Sequence, residues 1–198
     1  MTQGKSGVRV GHDRHVSECA RKQARRAVLR SFRWRDGHAD VWSVFADAEA
    51  LAAVVTALAD PWRADGVTRV VGIESRGFIL GGAVAVALGV GFVAARKPGT
   101  LLPGATLEAQ AGADYRGNRH VLRVQREVFN STDRVVLVDD WAERGAQALA
   151  ARDLVESSGA TFAGVSVMVD QLKDDVRADL RRVTSVVLAG ELPGSDAA

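Results

Sequence analysis

Four consecutive strand-forming residues, Val135-Val136-Leu137-Val138, run directly into two adjacent carboxylates, Asp139 and Asp140. A segment that is apolar at every position has no face for solvent, so it has to be covered on both sides. A mainly parallel sheet flanked by helices meets that condition. Further apolar runs at 69–73, 91–95, 162–169 and 185–188 read as strands, with helices over 78–88 and about 145–157 between them. The expected fold class is therefore α/β, an open sheet whose ligands bind beyond the carboxyl ends of the strands.

The remaining segments frame that sheet. Residues 16–32 read as a basic helix with Ala20, Ala24, Ala27 and Val28 on one stripe, and residues 47–62 as an apolar helix stopped near Pro61. An Arg- and Trp-rich connector, 32–42, joins them. Residues 97–118 carry Gly99, Gly104, Gly112 and Gly117 and read as a long irregular stretch, with 98–117 as a mobile lid. Residues 1–15 and 194–198 are expected to be loose ends around a single domain spanning 16–193.

Composition narrows the class. At 198 residues and 47% hydrophobic, one compact domain with a sizeable core is expected. The single Cys19 excludes an internal disulfide framework and a multi-cysteine metal site, which fits a reducing compartment. The longest apolar run, 81–95, is too short and too rich in glycine to span a bilayer, and the N-terminus has no secretory pattern, so a cytoplasmic protein is expected. Residues 1–35 hold ten Lys or Arg against Asp13 and Glu18, leaving about six net negative charges on the rest. Nucleic-acid binding is one reading of the basic run 21–26; a solvated helix face or the rim of an anionic-substrate site are others. His12, His15, His38 and His120 have no metal-ligand spacing, although His38 stands where it could touch a bound ring.

Two strand-to-helix junctions carry the chemistry. Paired carboxylates at the end of a buried strand are unfavourable unless they meet cations, hydroxyls or water. A vicinal diol or a hydrated Mg2+ would satisfy Asp139 and Asp140, while backbone amides from Glu143, Arg144, Gly145, Ala146 and Gln147 would face an anion where the next helix starts. An exposed acidic turn before a helix accounts for the run equally well. The second junction, Gly72-Ile73-Glu74-Ser75-Arg76-Gly77-Phe78, offers amides, a hydroxyl and a cation suited to pyrophosphate; an ordinary turn is the alternative.

The run from Val71 to Gly81, the segment Ala87-Leu88-Gly89-Val90-Gly91-Phe92-Val93, the tetrapeptide Arg96-Lys97-Pro98-Gly99 and the run from Val136 to Asp140 closely resemble the adenine phosphoribosyltransferase family in order and spacing. The resemblance covers roughly residues 32–193. It implies a type I phosphoribosyltransferase fold with a hood over about 16–45. It also implies Mg2+-dependent transfer of a 5-phosphoribosyl group from phosphoribosyl pyrophosphate to a purine-like base, in a homodimer. On that resemblance Asp139 and Asp140 hold the ribose hydroxyls, residues 143–147 surround the 5'-phosphate, and Ser75, Arg76 and Gly77 meet the pyrophosphate with Lys97 nearby. Asp114 falls where a catalytic glutamate is expected and Tyr115 on the family tyrosine. The base-stacking motif of the hood corresponds to Phe32-Arg33 or to Arg35-Asp36.

The chain also departs from the pattern. The usual Ala-Thr-Gly-Gly-Thr phosphate loop is replaced by Glu143-Arg144-Gly145-Ala146-Gln147, which removes two hydroxyls and one glycine. A charge pair at about 4 Å is worth roughly 4 kcal/mol at an effective dielectric near 20, so Glu143 facing a phosphate would offset what Arg144 gains. Thr100-Leu101 stands where a pyrophosphate-directed lysine is usual, and Trp141 replaces an aliphatic residue and reads as packing. Transfer to adenine or a related heterocycle is the leading expectation. A non-catalytic regulator that senses a nucleotide or phosphoribosyl pyrophosphate on the same fold is the rival.

Overall fold

The computed structural model describes residues 9–113 and 119–194. Its centre is a five-stranded sheet built from β3 (Arg69–Ile73), β4 (Gly91–Ala95), β7 (Arg134–Ala142), β8 (Thr161–Asp170) and β9 (Val183–Leu188), in the order β4-β3-β7-β8-β9. Every neighbouring pair in it is parallel. Side-chain alternation along β7 divides the core as a twice-covered strand requires. Val136 and Val138 enter a cluster with helices α1 (Arg9–Ser31), α3 (Ala48–Ala59) and α4 (Arg76–Leu88). Val135 and Leu137 enter a second cluster with α5 (Ala146–Ser157). Trp62, which follows α3, is 1% exposed in the first cluster and has the Arg182 guanidinium 4.7 Å from its ring.

Several expected boundaries move. The helix expected over 16–32 begins at Arg9, inside the segment expected to be loose. Gly11 alone weakens a helix by about 1 kcal/mol, too little to stop one that is 23 residues long. Ala24, Ala27 and Val28 are buried on its stripe, whereas Lys22 pairs with Glu18 at 2.7 Å and Arg25 with Glu191 at 3.0 Å. The basic run is thus the outer face of α1, partly neutralised by its own chain. Asp47 caps α3 by accepting the Ala50 N–H at 2.8 Å, and the helix gives way to a 3-10 turn at Asp60–Trp62.

The connector after α1 is a hairpin rather than a loop, β1 (Arg33–Arg35) against β2 (His38–Asp40), followed by the short helix α2 (Trp42–Ala46). Within the stretch expected to be irregular, 97–118, residues 106–113 form a strand, β5 (Thr106–Ala113), which pairs antiparallel with β6 (Arg119–Gln125) just beyond it. It docks on the sheet because its alternating apolar residues have a core to enter. Leu122 and Val124 are fully buried with the α5 cluster, and Leu107 and Ala109 pack against it. A short helix, α6 (Asp174–Asp179), also escaped the sequence reading. Among the described residues no helix is long and apolar enough to cross a membrane.

Truncating a ring this buried removes many contacts that the surrounding helices cannot replace. Trp62→Ala is expected to destabilise the fold by about 3–5 kcal/mol, read as a shift in the midpoint of urea unfolding.

Candidate active site

The sheet order places one crevice. From β3 the chain moves outward to β4, and then returns to lay β7 on the other side of β3. Helix α4 leaves β3 on one face and α5 leaves β7 on the other, so neither covers the gap beyond the carboxyl ends of this strand pair. A cavity of about 750 Å³ opens there. It is lined by Glu74, Ser75 and Arg76 after β3, by Asp139 and Asp140 on β7, by the loop 143–145 and the start of α5 including Gln147, and by Lys97.

Strand β7 is longer than its apolar run. Trp141 pairs with Val169 and Ala142 with Asp170, so both carboxylates lie within the strand and the loop before α5 is only Glu143, Arg144 and Gly145. Asp140, 5% exposed, pairs with Arg76 at 2.8 Å, and its backbone N–H donates to Asp139 Oδ1 at 2.9 Å. Burial first, and then the charge of Asp140, push the Asp139 carboxyl well above the ordinary carboxylate range, against a smaller pull from Arg76. Asp139 lies close against the first turn of α4: a Cβ on Gly77 would come within 2.8 Å of Oδ1. Gly77 therefore belongs to the site without lining the cavity.

The loop that carries Ser75 and Arg76 is held from below. Glu74 accepts the Lys97 backbone N–H at 3.0 Å and pairs with Arg96 at 3.2 Å. Burial raises the Glu74 carboxyl, but hydrogen bonds from Arg96 and the Lys97 backbone, with the charge of Arg96, outweigh it and hold the group below its usual value. Thr100, standing where a lysine is usual, spends its hydroxyl on Lys97 O at 2.8 Å. On the other side, Gly145 caps α5 with φ 75°, and a Cβ there would run into Val176 of α6 and Leu172. The first N–H groups of α5 are left facing the cavity end of the helix, and no acidic residue lies in its first turn.

Most of the expected site residues meet here: Ser75, Arg76, Lys97, Asp139, Asp140 and the whole run 143–147. Phe32 and Arg33 do not. Phe32 is fully buried, edge-on to Trp34 at 5.2 Å between ring centres, and Arg33 turns its guanidinium to the carbonyls of Arg30 and Phe32. The apolar stripe of α1 draws Phe32 into the core, and the hairpin presents Trp34, Gly37, His38 and Ala39 to the cavity instead. Asp114 and Tyr115 lie outside the described residues. Trp141 both packs and lines the cavity, and Gln171 was missed. The available signal for Gln171 was its position, a polar residue straight after a buried strand on the ligand-binding edge of the sheet.

A parallel sheet with a carboxylate pair and a helix start on one side of its crevice, and a Ser-Arg loop on the other, defines a type I phosphoribosyltransferase. No family model matches the chain. It is 41% identical to the adenine phosphoribosyltransferase of Streptomyces clavuligerus over 66% of its own length and 72% of that relative. The crystal structure of adenine phosphoribosyltransferase from Rhodothermus marinus superposes with a TM-score of 0.73 at 30% identity, covering 84% of this chain and 99% of that one. The Giardia lamblia enzyme, solved with 9-deazaadenine, gives 0.70 at 34% identity over 76% and 86%. The chain belongs to the adenine phosphoribosyltransferase family, a family of pentosyltransferases.

The raised Asp139 carboxyl has a consequence for stability. The native state keeps this proton to higher pH than the unfolded chain, so stability is lost as pH rises from the unfolded carboxylate range, near 3.9, through the raised native value. Asp139→Asn can still accept the Asp140 N–H, and is expected to raise the melting temperature of the ligand-free protein at neutral pH. The gain should be about 2–4 °C for each kcal/mol of repulsion relieved, and should vanish below roughly pH 4. A gap that does not change with pH would contradict the assignment.

Proposed function

We propose that this chain transfers the 5-phosphoribosyl group of phosphoribosyl pyrophosphate to a ring nitrogen of a purine-like base, adenine or a related heterocycle, with release of pyrophosphate. The observation that carries the reading is the crevice between β3 and β7. It joins a carboxylate pair suited to a diol with a helix N-terminus suited to a phosphate and a Ser-Arg loop suited to a pyrophosphate. Family membership favours turnover over the regulatory alternative.

The roles follow from charge. Arg76 and Lys97 oppose the charge that builds on the leaving pyrophosphate, and Ser75 adds a hydroxyl donor. Asp139 and Asp140 accept hydrogen bonds from the ribose hydroxyls and stabilise the electron-poor sugar carbon next to them. Among the described residues no three His, Cys, Asp or Glu side chains cluster as ligands for a resident metal. The oxygen-only pair Asp139 and Asp140 fits a hard divalent cation such as Mg2+ that arrives with the substrate, and the repulsion that raises Asp139 gives it an electrostatic reason to sit there. When bound, Mg2+ would neutralise pyrophosphate charge. Asp114 is proposed as the acceptor of the proton lost by the incoming base.

Two tests follow. Pyrophosphate release from phosphoribosyl pyrophosphate with Mg2+ should depend on an added base, and Asp140→Asn should lower kcat/KM by about 100-fold or more, as removal of preorganised charge at a reacting centre does. Retention of parent rates would sink the reading. In the reshaped loop Glu143 and Arg144 are both exposed at the cavity. Titration calorimetry should find tighter phosphoribosyl pyrophosphate binding in Glu143→Gln and weaker binding in Arg144→Ala, each several-fold and each reduced by added salt.

A further inference from the structure

Asp133, Asp140 and Asp170 are buried carboxylates. Asp140 belongs to the cavity and Asp133 precedes β7 at its far end, whereas Asp170 ends β8 beside Ala142 without lining the cavity. Its Oδ1 accepts the Leu172 backbone N–H at 3.0 Å. Its Oδ2 meets the Arg177 guanidinium of α6 at 2.8 Å and has no other partner among the described residues. An ion pair with a buried end contributes little net stability over apolar residues of the same volume, because desolvation offsets the attraction; what it can supply is one fixed placement of its partner. Helix α6 needs such an anchor. It is six residues long and has no side-chain cap at its N-terminus, too short to hold itself. The same segment grips the loop 143–145 at both ends. The Gln171 N–H donates to Ala142 O at 2.8 Å before the loop, and at its end a Cβ on Gly145 would collide with Val176 and come within 2.9 Å of Leu172.

We propose that Asp170 and Arg177 are positioning residues for the phosphate loop. Neither reaches the ligand. Through Val176 and Leu172 they hold α6 against Gly145, and so fix the path of the chain from Ala142 into α5. The inference rests on the transferase reading and deepens it. Residues 143–147 carry no Ser or Thr, so the phosphate is met there chiefly by backbone N–H groups. A hydroxyl can rotate to follow a displaced anion, whereas a backbone N–H is aimed only by the course of the chain, and small misplacements are costly. When Asp170 releases Arg177, α6 moves off Gly145, the loop loses its support, and its donors fall out of line.

The test measures ribose 5-phosphate binding by calorimetry, steady-state kinetics with phosphoribosyl pyrophosphate and adenine, and the melting temperature of each protein. The set comprises the parent, Asp170→Asn, Val176→Ala, Arg177→Lys and Asp133→Asn. Asp170→Asn still accepts the Leu172 N–H but gives up the charge that holds Arg177. Val176→Ala removes the contact with Gly145 and leaves the ion pair intact, so it carries the test if Asp170→Asn does not fold. Each should weaken ribose 5-phosphate binding roughly tenfold, about the loss of one charge-assisted hydrogen bond. KM for phosphoribosyl pyrophosphate should rise in proportion while kcat and KM for adenine stay within about twofold, because a contact made equally in ground and transition states moves KM alone. Arg177→Lys keeps a single N–O contact and should bind as the parent does. Asp133→Asn alters a buried carboxylate bonded to Thr68 and Asn130 at the far end of β7, and should lower the melting temperature without weakening ribose 5-phosphate binding. Folded Asp170→Asn and Val176→Ala proteins that bind ribose 5-phosphate like the parent, or a loss that Asp133→Asn reproduces, overturn the proposal. Weakened binding in the two variants without pyrophosphate release from any base would support it and refute the transferase reading. Base-dependent release that neither variant alters would do the reverse.

Discussion

The site exists because two neighbouring parallel strands send their helices to opposite faces. At β3 and β7 the chain changes direction across the sheet, and the gap beyond these strands is the one place on that edge that neither α4 nor α5 can cover. Most of the polar lining of the cavity hangs from that gap. The end of β3 delivers Glu74, Ser75 and Arg76, β7 delivers Asp139 and Asp140, and the start of α5 delivers backbone donors. The rest of the core serves to keep the two strands in register. Val71 lies opposite Leu137 and Gly72 opposite Val138, so the last apolar residue of β7 sets the height at which its carboxylates emerge.

Within that gap the electrostatics are unbalanced in the free protein. One arginine serves two carboxylates, and it sits 2.8 Å from Asp140, so Asp139 carries the remaining repulsion. A fold held together by burial elsewhere can tolerate such a local conflict, and functional sites are where it is expected. The opposite side is arranged differently. Glu74 is engaged by the Arg96 guanidinium and the Lys97 backbone N–H, so the loop that carries Ser75 and Arg76 rests on a satisfied base. Flexible and costly interactions thus stay on the ligand side, while those that shape the loop are closed.

The sheet was legible in the sequence because its strands contain nearly continuous apolar runs, and the two junctions because charged residues follow such runs closely. Trp141 and Ala142 were not legible as strand, since nothing local distinguishes a strand that continues past paired carboxylates from one that stops at them. The pairing of Trp141 with Val169 and of Ala142 with Asp170 decides it. The ribbon β5–β6 was misread for a similar reason: its glycines suggested irregularity, while the core that receives Leu122 and Val124 comes from helices and strands distant in sequence. Phe32 was assigned to the ligand because a motif was matched before burial was known. Gln171 was overlooked because a lone glutamine has no meaning until its neighbour across the sheet is seen.

The hairpin β1–β2 is attached to the molecule differently from every other wall of the cavity. It consists of two strands of three residues joined by Asp36 and Gly37 at positive φ, and it is stapled at its base by Arg35 and Asp40 at 2.7 Å. Only Trp34 of its side chains reaches back to the core cluster with any size, whereas the phosphate-side residues grow out of strands that the whole fold requires. Lineages can therefore rewrite His38 and its neighbours with little penalty in stability, and cannot do the same at Asp139 or Asp140. The hairpin is thus the wall of the cavity whose side chains can change without disturbing the strands that carry Asp139 and Asp140.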